Sequence, residues 1–81
     1  MYNKKKLRRE FEDFKRMAEV VETEAGTRFL IEGIEKELVT LTKMPELRRQ
    51  VTGIRTAICL IYGSMNAKDI IEPLEDLIAV M

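Results

Sequence analysis

The sequence predicts an all-α protein, a small up-and-down helical bundle of four helices, and three observations carry that prediction. Apolar residues recur at alternating steps of three and four, a period that strands do not produce. Only four Gly and two Pro interrupt the 81 residues, so long elements are expected. The segments between the apolar stripes are short, which favours neighbouring antiparallel helices. A chain of this length forms one domain, close to the lower size at which a single core suffices. The domain is taken as residues 1–81, with helices at about 4–25, 28–43, 45–62 and 67–80.

Leu7, Phe11, Phe14, Ala18, Val21 and Ala25 form the stripe of the first helix. Asn3 is its expected N-cap, and Gly26 follows the last stripe residue where a left-handed C-terminal cap would stand. Thr27 is expected to cap the second helix, whose stripe is Leu30, Ile31, Ile34, Leu38 and Leu41. Gly33 lies inside that stripe and costs about 1 kcal/mol against Ala. A close helix crossing with no room for a side chain would account for it, and so would a local weakness or bend.

Pro45 reads as the first residue of the third helix, where its missing N–H is no loss. Leu47, Val51, Ile54, Ile58 and Ile61 form the stripe, and Gly63 is expected to end it. The run Ala57–Tyr62, "AICLIY", is apolar on nearly every face, which predicts a helix buried all round, at the centre of the fold or of an oligomer. The fourth helix, capped by Ser64 or by Asn66 with Asp69 in a capping box, is expected to be short and kinked at Pro73. Its apolar side is Ile70, Ile71, Leu74, Leu77, Ile78 and Met81. An end as apolar as "LIAVM" is expected to be docked, on its own bundle or on a second copy. The bundle is accordingly expected to be dimeric, with Ile70, Leu74, Leu77, Ile78 and Met81 as the partner or dimer interface.

Charge restricts the function classes. Fourteen basic and fourteen acidic residues give a formal net charge of zero, against a general polyanion binder. The charge is nevertheless segregated: residues 1–16 and 43–68 each carry +4, residues 17–42 and 69–81 each −4. Helices of alternating sign complement one another within a bundle or across an interface. No run approaches the ~18 apolar residues of a membrane span, and the basic start "MYNKKKLRRE" has no apolar core of a secretory signal. With one Cys, a cytoplasmic protein without membrane attachment is expected.

Catalytic chemistry has few carriers here. The chain has no His, which removes His-based bases, nucleophilic triads and nearly all zinc sites. Cys59 falls in the most apolar run and reads as an inert core thiol. Glu19 with Glu22, and Glu32 with Glu35, have the i, i+3 spacing that lets facing helices hold Mg²⁺, as in all-helical nucleotide pyrophosphohydrolases. That gives one alternative function.

A second alternative comes from "TKMPELRRQVTGI", Thr42–Ile54. Around residues 37–55, a helix, a turn and a second helix opening on Arg48 and Arg49 resemble a helix-turn-helix, with Leu38, Leu41, Met44, Leu47 and Val51 as its buried positions. Nucleic-acid contacts would then come from Arg48, Arg49 and Arg55, and from a basic arm of Lys4, Lys5, Lys6, Arg8 and Arg9. Residues 4–6 put positive charge at a helix N-terminus, where the macrodipole disfavours it, so this turn is expected to fray. Against this reading, the turn has Lys43-Met44 where a small residue would help.

The leading expectation is therefore a non-enzymatic protein-interaction module needing no cofactor, a regulator, inhibitor or assembly factor that docks on a larger protein.

Overall fold

A computed structural model describes residues 3–81. Four helices account for most of them: α1 (Lys4–Val20), α2 (Glu24–Leu41), α3 (Arg48–Ser64) and α4 (Ile71–Val80). Short 3-10 turns, Pro45–Leu47 and Ala67–Ile70, lead into α3 and α4. No strand occurs among the described residues. Asn3 caps α1, its side chain accepting from the Lys6 N–H at 3.2 Å. Residues 4–6 are thus the first turn of α1 rather than a frayed arm.

The first corner departs from the sequence expectation. α1 stops at Val20, five residues early, and Val21 is extended. Two consecutive β-branched residues weaken the helix there. The Thr23 hydroxyl then accepts from the Gly26 N–H at 3.0 Å, so Thr23, and not Thr27, caps α2. Gly26 lies inside the first turn of α2. A Cβ on it would stand 2.5 Å from Val21 Cγ2 and 2.9 Å from the Thr23 hydroxyl, so the fold-back of Val21 is what requires glycine. Thr27 is buried, and its hydroxyl donates to the Thr23 carbonyl at 3.0 Å, which offsets its burial.

Gly33 does mark a close approach. A Cβ there would stand 3.1 Å from Phe14 Cε1 of α1. Phe14 in turn meets Phe11 edge-on, with ring centroids 5.5 Å apart. At the second corner the Thr42 and Met44 N–H groups bond back to Leu38 and Leu41, and the chain turns over buried Met44 into Pro45.

α3 runs past Gly63 to Ser64. The terminating residue is Met65, in the left-handed conformation (φ 55°, ψ 28°), its N–H bonded to the Ile61 carbonyl at 2.6 Å. The turn places Ala67 and Ile70, both buried, back on the core. Asn66 accepts from the Lys68 N–H rather than pairing with Asp69 in a capping box. Pro73 stands in the first turn of α4, where the missing N–H leaves no intrahelical bond unmade. The change of helix type falls two residues before it.

α1 packs on α2 and α4, and α3 packs on α2, α4 and the turn before α4. The molecule measures 35 × 20 × 19 Å, so its short dimensions are each about two helix diameters. The core runs from Leu7 to Leu77 and includes all five stripe residues named for each of the two central helices. Phe14, Val21, Ile71, Ile78 and Met81 pack around it, half-buried. None of the described helices is long and apolar enough to cross a membrane.

Candidate functional site

The outer face of α3 is the least expected surface of the molecule. "AICLIY" is not buried all round: Ala57, Ile58 and Ile61 face the core, while Cys59, Leu60 and Tyr62 face outward. Leu60 is 64% and Tyr62 50% exposed. The core has room for one side of α3 only, because α2 and α4 flank it on that side alone. Cys59 is accordingly an exposed thiol and not a core one. From Thr56 to Ser64 no residue is charged, in a chain 35% charged overall, and Thr56, Cys59, Leu60, Tyr62, Gly63 and Ser64 of that run are exposed.

A groove flanks this strip on each side. Between α3 and α4 lies one of about 730 Å³, and Gly53, Ala57 and Leu60 contribute to its α3 wall. A Cβ on Gly53 would have nothing within 4 Å. Glu72 and Asp76 of α4, with Asp69 of the turn before it, line one wall, and Arg49 and Gln50 stand on the α3 wall. Between α2 and α3 lies a second groove of about 490 Å³, with Val39, Cys59 and Tyr62 among its lining residues. The Tyr62 hydroxyl donates to Glu35 at 3.0 Å, and that bond to a carboxylate is the main reason its pKa is raised.

The residues expected at an α4 interface differ in burial. Ile70, Leu74 and Leu77 are fully buried in the protomer's own core and have no surface to offer a second molecule. Ile78 and Met81 are half-buried against the same core. The centre of α4's apolar face, Leu74 and Leu77, is used intramolecularly, whereas Val80 near its end is 53% exposed. The signal in the sequence was apolar content, which does not say whose core is being filled.

The basic candidates are all exposed, and Arg49 parts from Arg48 and Arg55. Lys4, Lys5, Lys6, Arg8 and Arg9 lie on the solvent side of α1. Arg48 and Arg55 share a small pocket at the α2–α3 corner, whereas Arg49 points into the α3/α4 groove. Consecutive residues on a helix diverge by about 100°, which is why the Arg pair separates. Leu38, Leu41, Met44, Leu47 and Val51 are buried as expected for the corner. The ion pairs among the described residues are Lys15–Glu75, at 3.3 Å, and Arg16–Asp13.

The acidic pairs fare differently from their spacing. Glu22 lies beyond the end of α1, so Glu19 and Glu22 do not share a helix face. Glu35 is engaged by Tyr62. No three His, Cys, Asp or Glu gather to hold a metal ion among the described residues. Elsewhere, burial first and the Glu10 carboxylate second hold the Glu37 carboxyl above its ordinary range, against the opposing pull of Lys6 and Lys36.

No family model matches the chain, and comparison with curated proteins and with solved structures finds no match to either.

Proposed function

We propose that this chain is a small non-enzymatic protein-interaction module, acting as a regulator, inhibitor or assembly factor by docking on a larger protein through α3. One observation carries the reading: the run Thr56–Ser64 is uncharged and its outer face is exposed, with Leu60 and Tyr62 standing out from it. Interface centres are depleted of charge and enriched in aromatic residues relative to the rest of a surface. Val39, 63% exposed across the α2/α3 groove, extends the same apolar area.

An up-and-down order of helices would present α3 in this way. It is supported by Lys15 of α1 meeting Glu75 of α4, and by Glu35 of α2 meeting Tyr62 of α3. A cytoplasmic site of action fits the exposed, unpaired Cys59.

The test is affinity capture with quantitative mass spectrometry from cells that encode the chain. Wild type is compared with Leu60→Glu, Tyr62→Glu and a control charge change at Glu24 on α2. A partner retained by wild type and by the control, and lost by both α3 variants, is the expected result. Identical capture by all four proteins would remove α3 as the docking face.

The second reading is a DNA-binding regulator, favoured by Arg48 and Arg55 sharing one exposed pocket at the α2–α3 corner. Fluorescence anisotropy of a labelled duplex at low and near-physiological salt separates the two. Salt-sensitive binding that Arg48→Ala reduces would favour the DNA reading.

A further inference from the structure

The α3/α4 groove has more chemical definition than the rest of the docking face. Its wall opposite α3 carries Glu72 and Asp76, four residues apart on one face of α4, and Asp69 from the 3-10 turn that leads into it. None of them has a cationic partner among the described residues, whereas their neighbour Glu75 turns away to Lys15. The α3 wall is apolar or small at Gly53 and Leu60, and Gly53 leaves open space where a side chain would stand. Gln50, also on that wall, has its side-chain oxygen shut off from water with no hydrogen-bond donor. The groove thus offers acceptors and apolar surface, and its one cation, Arg49, stands on the α3 wall.

We infer that this groove receives an amphipathic helix with a basic flank, contributed by another protein. Such a helix lays its apolar stripe over Gly53 and against Leu60, and its Lys or Arg flank along Asp69, Glu72 and Asp76. Helix-in-groove recognition works in this way, with apolar anchors at helical spacing and charge setting orientation. The carboxylates sit at the rim, where they keep part of their hydration and steer a cationic partner without the cost of full burial. Arg49 lies on the opposite wall and disfavours a second basic flank there, so the occupant is basic on one side only. The inference deepens the docking reading and rests on α3 being a contact face; the chemistry of the occupant is its own claim.

The experiment titrates the full chain, by isothermal calorimetry, with a 14-residue Leu/Lys amphipathic helical peptide and with its Leu/Glu counterpart. Micromolar binding of the Lys peptide and none of the Glu peptide is expected. Glu72→Lys/Asp76→Lys should weaken the Lys peptide at least tenfold. Gly53→Gln, whose Cβ would have nothing within 4 Å, should weaken it similarly without lowering the melting temperature. Charge reversal at Glu24 and Glu32 on α2 should leave it unchanged. Equal weakening by the α2 reversal would overturn the inference, since attraction would then be non-specific. So would absence of binding, or equal binding of both peptides. Sedimentation equilibrium on the same samples covers the remaining occupant: a dimer that Gly53→Gln dissolves would assign the groove to a second copy and refute the basic helix. If the peptide fails while partner capture still depends on Leu60, only the chemistry of the occupant falls, and the docking face stands.

Discussion

Replacing Gly53 with Ala should stabilise the protein, and the size of the gain follows from its surroundings. Gly53 lies inside α3, has a negative φ, and has nothing within 4 Å of the position a Cβ would take. The substitution therefore adds no contact and no clash. What remains is backbone entropy, which makes Gly about 0.8–1 kcal/mol worse than Ala in a helix interior. For a domain of this size, 1 kcal/mol moves Tm by roughly 4–8 °C. The other interior glycines supply controls with different signs. At Gly33 the same gain is opposed by Phe14, whose ring atom would be 3.1 Å from the new Cβ, and the net change should be near zero. At Gly26 the Cβ would press on Val21 and on the capping hydroxyl of Thr23, and loss of such a cap alone costs about 1 kcal/mol. Circular-dichroism melts at low micromolar protein should thus rank the Ala variants Gly53 highest, Gly33 near wild type, Gly26 lowest. A Gly53→Ala protein no more stable than wild type would mean that the outer face of α3 is covered in solution, contrary to its use here as a docking surface.

Three further outcomes are expected. Leu77→Ala should cost about 2–5 kcal/mol as a large-to-small change at a fully buried position, and Leu77→Glu should leave an unfolded chain by circular dichroism; a folded Leu77→Glu protein would return Leu77 to an interface. The raised pKa of Glu37 means that the folded state takes up its proton more readily than the unfolded one. The associated stability is present below the ordinary carboxylate pKa and lost as pH rises through the folded value. Glu37→Gln should therefore be the more stable protein at pH 7, by roughly the 0.2–1 kcal/mol of a surface charge pair, with the gap in urea melts closing toward acid; a gap that widens toward acid would reverse the assignment. Cys59, exposed on α3, should react with a water-soluble disulfide reagent in the native protein about as fast as in the denatured one, and strong protection would contradict its placement.

The sequence by itself determined the fold class, the four helices and nearly the whole core. Stripes at steps of three and four are a local property, and Leu30–Leu41 and Leu47–Ile61 are buried just where those stripes lie. It offered a close crossing or a bend at Gly33, and the nearness of Phe14 decides for the close crossing. Helix ends were less legible, because they depend on which competing cap wins. Thr23 prevails over Thr27 because Val21 can fold over Gly26, and Met65 takes the left-handed turn instead of Gly63 because Ala67 and Ile70 must return to the core.

The candidate site was the part that only the tertiary structure decided. Apolar content in α3 and α4 looks alike in the sequence, yet four helices offer one interior. Ten-residue α4 places Leu74 and Leu77 wholly in that interior and Ile71 and Ile78 partly in it, while α3, flanked on one side only, leaves Leu60 and Tyr62 in solvent. Which apolar residues remain for a partner is settled by how much of each helix its neighbours can cover, and that is a property of the packed assembly rather than of any stretch of chain.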